Sequence, residues 1–392
     1  MSRKNMSDLG KYLNKKRMIS TLLEFVSIYS PALKEKKLAN NLVSKLKKLG
    51  CSVTVDNAHK KFGGEVGNII AKLPGTGTAK NYKPILLNSH TDTVEPAKNV
   101  KPKIHNGKIT SDGTTILGGD CKAGLTIVLE ILHVLKEQKL PHPPVEILFD
   151  AAEEVGHLGL ENIDSSKLRA KKGLVLDGDV AEVITRAPSR HLFDIAITGK
   201  TAHAGVNPEK GISAIEIAVK AVAKMKFGKI DHETVANIAV FKSENGLNVV
   251  AQEAHIKGEL RSHNKQKVQK LINHMKNCLE KEVKATRKKV DGKWICAKFN
   301  FKTKKMYSSF KISDKNPFLK TIIKSAASQG VNLKTASINA GCGSNSLVKH
   351  GITAPLIDIG YRNAHTTSEY VSIKDFFNGA KVALAIVLNF KG

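Results

Sequence analysis

The sequence predicts an α/β fold in which a sheet flanked by helices is interrupted by a smaller α+β unit. Three observations carry this expectation. Strand and helix signals alternate through the first half, which is the pattern of a sheet covered by helices. From about Ala187 the order changes to β-α-β-β-α-β for roughly 120 residues, and the first kind of alternation resumes near Pro317. A length of 392 residues also exceeds what one ordinary core sustains, so about two to three domains are expected.

Taken in order, apolar periodicity at Ile19, Leu22, Leu23 and Val26 predicts a helix from Arg17 to a stop near Pro31. A second helix is expected from Lys34 to Leu49, closing at Gly50. The short apolar runs Gly67 to Leu73, Ile85 to Ser89, Val145 to Ala151 and Gly173 to Asp177 have Gly or Pro nearby and are expected to be buried strands. Between them, Leu125, Val128, Leu129, Leu132 and Leu135 mark one buried face of a helix from Ala123 to Lys136. Within the inserted unit, strands are expected at roughly 190–199, 234–244, 248–262 and 293–308, and helices at roughly 211–226 and 264–286.

Composition narrows the class. No stretch approaches the roughly 20 apolar residues that cross a bilayer. The N-terminus carries Asp8, Lys11, Lys15, Lys16 and Arg17 without an apolar core or a small-residue cleavage site, which predicts an unprocessed cytosolic protein. The five cysteines (Cys51, Cys121, Cys278, Cys296 and Cys342) are far apart, contain no C-x-x-C pair and suit a reducing compartment. A net charge of +28 raises nucleic-acid or acidic-surface binding. The lysines are spread along the chain rather than gathered in a block, so a basic patch for one specific partner is not expected.

Polar residues gather at the ends of the apolar runs. In N-S-H-T-D-T-V, His90 and Asp92 are two apart and leave the same face of extended backbone. Asp92 can then hold the His90 imidazole from behind while the other ring nitrogen binds a metal. In L-G-G-D-C-K-A-G, Asp120 stands just before a helix, where a carboxylate either caps the helix or bridges two cations. Lys122 is not expected to ligate. In F-D-A-A-E-E-V-G-H, the adjacent Glu153 and Glu154 are costly at the mouth of a buried strand unless something positive neutralises them. One can ligate metal while the other accepts a proton from water. His157 is expected to be a loop or helix-start residue. Asp177 ends the next run, and His365 follows the apolar stretch Leu356 to Ile359. Two histidines and three carboxylates suit a pair of zinc ions sharing one bridging group.

At these segments the chain resembles the M20 family of metallopeptidases, especially its peptidase T-like tripeptide aminopeptidase branch, over nearly its full length. The matching stretches are S-H-T-D-T-V-E-P, S-D-G-T-T-I-L-G-G-D-C-K-A-G, E-E-V-G-H-L-G, V-L-D-G-D and N-A-H-T-T-S-E. The resemblance implies a catalytic di-zinc domain with a mixed sheet over 1–186 and 309–392. It also implies an inserted lid or dimerisation domain, a four-stranded antiparallel sheet with two helices, over 187–308. By the same resemblance His90 and Asp177 hold one zinc, Glu154 and His365 the other, and Asp120 bridges them; Co2+ or Mn2+ are substitutes. Glu153 is then the general base and Asp92 the partner behind His90. In the lid, G-K-T-A-H-A-G places His203 where relatives steady the oxyanion. Asn248 and Arg261 fall near the substrate, Arg261 as a carboxylate clamp.

Two departures bear on specificity. Cys121 stands where relatives usually have an acidic residue in D-D-K-A-G, and A-G-C-G-S-N replaces G-G-x-D-A-N. Gly343 therefore takes the place of an Asp and leaves Asn345 of that pair as a substrate contact. The expected activity is metal-dependent hydrolysis of small peptides, with no specific nucleic-acid or membrane partner and a homodimer through the lid. The alternatives are a dipeptidase or N-acyl amino acid deacylase with the same cage, or a non-catalytic basic binding protein with the same fold.

Overall fold

The computed structural model describes residues 8–179 and 182–392. The chain forms two compact units. The first comprises the chain up to Arg186 together with Phe310–Ile338 and Cys342–Gly392, and the second comprises Ala187–Ser309 with Asn339–Gly341.

A nine-stranded mixed sheet organises the first unit. From one edge its strands are Ser52–Val55, Ile69–Leu73, Val145–Asp150, Ile85–His90, Lys172–Gly178, Leu356–Asp358, Glu182–Ala187 and Phe310–Lys311, with Lys334–Ser337 also paired to Glu182–Ala187. The centre is parallel: Leu86 lies opposite Glu146 on one side and Gly173 on the other, and Leu356 lies opposite Val175. Parallel strands covered on both faces read as unbroken apolar runs. Every residue of Ile85–His90 and of Val145–Asp150 is accordingly buried. Because these neighbours run the same way, His90, Asp150 and Asp177 reach the same edge of the sheet, where open α/β sheets bind ligands.

The helix Gly119–Glu137 packs against Ile85–His90 and Lys172–Gly178, and the helices Lys15–Val26 and Ile373–Asn389 pack against it in turn. It is buried on nearly every face. A β-carbon at Gly124 would collide with the Leu176 carbonyl oxygen, so glycine lets this helix lie close on the sheet. The expected first helix begins at Lys15, where the Asn14 side chain accepts from the Arg17 amide, and ends at Val26, short of Pro31. A separate four-stranded antiparallel sheet, ordered Tyr361–Arg362, Tyr370–Ser372, Lys108–Thr110 and Lys103–His105, completes the unit.

The second unit has its own core around Phe193, Ile195, Ile197, Met275 and Leu279. Its antiparallel sheet runs Gly228–Asp231, Thr234–Lys242, Glu253–Ser262, Ser189–Thr198 and Lys298–Tyr307, accompanied by the helices Ala214–Ala223 and Lys265–Ala285. The four long strands are those expected from apolar periodicity. Gly228–Asp231 adds a short edge strand with no buried residue, which leaves no periodic signal to read. The strand expected from 248 starts only at Glu253, because a turn closed by the Val249 amide on the Gly246 carbonyl precedes it, and the last long strand starts later than expected because Lys288–Val290 and Lys293–Ile295 form a hairpin before it. Among the described residues, no helix is long and apolar enough to cross a membrane.

Candidate metal centre

Asp120 lies at the middle of a cluster at the C-terminal ends of the central strands. Its Oδ1 is 3.0 Å from His90 Nε2, and its Oδ2 is 3.3 Å from His365 Nε2. On one side His90 Nε2 also lies 3.5 Å from Asp177 Oδ1, and on the other His365 Nε2 lies 3.0 Å from Glu154 Oε1. These contacts define two overlapping donor groups that share Asp120, one with His90, Cys121 and Asp177, the other with Glu154 and His365. His90 is 2% exposed and Asp120 8%, while His365 is exposed and arrives on a loop at φ 65°.

The local chain explains how each donor is aimed. Asp120 and Cys121 lie at the start of the Gly119–Glu137 helix but have non-helical backbone, and the peptide between them is cis. The Glu369 carboxylate, 1% exposed, accepts from the amides of Leu117 at 2.9 Å, Gly118 at 2.7 Å and Asp120 at 3.0 Å. These amides precede or open the helix, where an N-terminus leaves donors without intrahelical partners. Asp92 stands behind His90, as the sequence suggests, and meets it through two groups. The closer contact to His90 Nδ1 is its backbone carbonyl at 3.0 Å, with its carboxylate at 3.4 Å. That carboxylate is spent on the amides of Glu153 and Glu154, each at 3.0 Å, so Asp92 fixes the acidic pair as well as the imidazole.

Electrostatics fit a cationic guest. Burial, then repulsion from Asp120, pushes the carboxyls of Glu154 and Asp177 above the usual range. Burial would do the same to Asp120, but the His365 and His90 imidazoles outweigh it and hold Asp120 low. His365 is in turn pushed up to about 11 by its hydrogen bonds to Asp120 and Glu154. The two imidazoles thus balance the crowded carboxylates. Divalent cations would take over that balance, and imidazole nitrogen with carboxylate oxygen is a donor set suited to zinc, cobalt or manganese. Glu153 stands beside this cluster without joining either donor group. Burial raises its pKa, yet the His157 imidazole, 3.0 Å from Oε1, brings it below the usual carboxylate value.

Several residues near the cluster escaped the sequence reading. Glu369 lay inside the quoted N-A-H-T-T-S-E stretch, but nothing in its spacing says that it turns back to the helix start. Lys122 is 2% exposed, donates from Nζ to the Ile28 carbonyl at 2.8 Å and is brought down to about 7 by burial, partly offset by Glu369. Tyr361 donates its hydroxyl to the Asp177 carbonyl at 3.0 Å. His157 does start a helix, Leu158–Glu161, and in addition reaches Glu153.

The expected substrate contacts fare differently. Asn345 is fully buried, and its Oδ1 accepts from the Cys342 amide at 3.0 Å. It holds the start of the Gly343–Leu347 helix, which is buried along its length. Gly343 fills its place tightly, since a β-carbon there would lie 2.8 Å from Asn88 Oδ1. In the second unit, His203 and Asn248 are exposed and lie on neighbouring turns, the Ala204 amide donating to the Asn248 carbonyl at 2.8 Å. Arg261 pairs through Nε with Glu259 at 2.7 Å.

Comparison with known proteins decides the family, since the profile of peptidase family M20/M25/M40 matches residues 86–389. The chain belongs to this family. An aminopeptidase PepT from Bacillus cereus is 35% identical, with a TM-score of 0.87 over 96% of this chain and 99% of that one. A tripeptidase from Staphylococcus aureus is 34% identical, with a TM-score of 0.88 over 96% and 98% of the two chains. YqjE of Bacillus subtilis is 37% identical over 377 residues, covering 96% of this chain and 98% of its own. The chain is therefore a metallopeptidase of the peptidase T-like branch, and the mixed α/β fold is the family's.

Proposed function

We propose that this M20 peptidase is an aminopeptidase of small peptides, tripeptides above all, with a two-metal centre in which zinc is the resident ion. His90 and Asp177 would hold one ion, Glu154 and His365 the other, and Asp120 would bridge them. The observation that supports this most is Asp120 itself, a buried carboxylate whose two oxygens face two different imidazoles. When bound, the ions would supply Lewis acidity toward the scissile carbonyl and make water easier to deprotonate.

The chain's own groups carry the rest. Glu153 takes the proton of the attacking water and returns it to the leaving amine, the two halves of general acid-base work. Asp92 fixes the backbone from which Glu153 and Glu154 project, and Glu369 fixes the backbone of Asp120. His203 as oxyanion donor, Asn248 and Arg261 as substrate contacts, and dimerisation through the second unit belong to the same proposal.

A screen of free tripeptides, dipeptides and N-acyl amino acids, with and without a chelator, tests the reading. Chelator-sensitive release of the N-terminal residue from tripeptides is expected. Preference for N-acyl amino acids would replace the aminopeptidase with a deacylase using the same residues. Glu153→Ala should lower kcat by about 10²- to 10⁴-fold while metal stoichiometry stays unchanged. Full activity in that variant would remove Glu153 as the base.

A further inference from the structure

The Glu153 carboxylate is the buried end of a side-chain chain that runs away from the metal cluster to the surface at Lys349. His157 Nε2 lies 3.0 Å from Glu153 Oε1, and His157 Nδ1 lies 3.1 Å from Ser346 Oγ. Ser346 Oγ donates to Glu161 Oε1 at 2.8 Å, and Glu161 Oε2 meets Lys349 Nζ at 2.9 Å. The imidazole is 5% exposed and the Glu153 side chain 11%.

The order of donors fixes the imidazole. Glu161, paired with an ammonium, is an acceptor only. The single Ser346 proton goes to it, so Ser346 can only accept from His157, and Nδ1 must carry a proton. Nε2 is then committed to Glu153: a proton lies between it and Oε1, whichever atom holds it more closely. One Glu153 oxygen is thereby pinned, and Oε2 is left for exchange with the reacting water.

Backbone geometry points the same way. Ala152 at φ 53° and His157 at φ 57° bracket the acidic pair, and both are non-glycine residues in the left-handed region. Such conformations are strained and persist where the surroundings over-determine them. The His157 amide donates to the Glu153 carbonyl at 2.7 Å, which closes the turn and folds the ring back onto the carboxylate. A residue needed only to start the four-residue helix Leu158–Glu161 would not require an imidazole.

We infer that His157, oriented by Ser346 and Glu161, is a positioning residue that locks the Glu153 carboxylate in the rotamer from which Oε2 exchanges protons. This rests on Glu153 being the general base. A glutamate side chain otherwise samples several rotamers, and a base displaced by a fraction of an ångström from hydrogen-bond reach loses efficiency.

The test uses the zinc-supplemented full chain and a hydrolysed tripeptide. His157→Asn is the main variant because asparagine tolerates the left-handed backbone. Its kcat should fall about ten- to a hundredfold with KM within about twofold, the range for losing an outer partner of an active-site group. Its melting temperature and zinc content should match the parent. Ser346→Ala should lower kcat in the same direction by less. Histidine ring 15N spectra add a readout independent of turnover: Nδ1 of His157 should be protonated, and its ring signals should move in Glu153→Gln. Parental kcat in His157→Asn, with Glu153→Ala inactive, would overturn the positioning role and leave the base in place. Full activity in Glu153→Ala would overturn the base itself. Should His157→Asn not fold, ring signals unmoved by Glu153→Gln would refute the inference by themselves.

Discussion

Replacing Glu369 by glutamine probes how Asp120 is held. The carboxylate receives three buried amides, two on Oε2 and one on Oε1. A carboxamide keeps one accepting oxygen. Placed at the Oε2 position it still serves Leu117 and Gly118, and the Asp120 amide then faces an NH2 group; the flipped orientation loses two bonds and is disfavoured. One unpaired buried amide costs about 1–3 kcal/mol. Loss of the charge adds little, because burial, and then repulsion from Asp120, already raises the Glu369 carboxyl to about 7. Accepting geometry therefore outweighs charge. Alanine would orphan all three amides at about 3–9 kcal/mol, comparable with the whole stability of a typical domain, so glutamine is the informative variant. Denaturant unfolding of the chelated protein should register the stability loss. Because the unpaired amide belongs to Asp120, metal affinity measured by chelator competition should fall about ten- to a hundredfold. If the glutamine variant unfolds at the parental midpoint and binds metal as tightly, Glu369 does not hold Asp120.

The buried acids also set a pH dependence for the chelated protein. Glu35 is raised from 4.5 to about 7 by burial and by Asp92, and Glu369 is likewise raised to about 7. A carboxyl with a raised folded pKa contributes stability that is fully present below its unfolded value and lost as pH rises through the folded one. The melting temperature of the chelated protein should thus fall between roughly pH 5 and pH 8, and added metal should stabilise more at the upper end, where its ligands are free of protons. A flat profile would contradict the burial of these acids. Separately, Arg17→Leu removes the guanidinium from Glu130, whose side chain is 2% exposed and lies 2.6 Å from Arg17 Nε. Unfolding in urea should show a loss of about 2–4 kcal/mol, less than for a fully buried pair because Arg17 is partly solvated, with kcat unchanged. Glu130→Gln in the same background should recover part of it.

How much of this was legible depended on the kind of signal. Apolar runs ending in His90, Glu154 and Asp177 could be read because buried parallel strands leave no polar alternation to confuse them. The strands Glu182–Ala187 and Lys334–Ser337 were not read, because one is half polar and the other is mostly exposed. Asp120 was identifiable by its glycines, and Glu153 by the cost of two adjacent acids. The partners of both were hidden. Glu369 is 249 residues from Asp120, and Ser346 is 189 from His157, separations at which no periodicity relates two side chains.

The family, the α/β architecture, the inserted unit and the candidate donors could all be read from the sequence, because each is carried by local pattern or by short motifs. Tertiary structure decided which atoms face each other. It turned the Asp92 carboxylate onto two amides, set Asn345 at a buried helix start, and joined His157 to Glu153. Those outcomes depend on how a sheet edge, a helix start and distant loops converge, and hydrogen-bond direction at such a convergence is a property of three-dimensional packing that residue spacing does not encode.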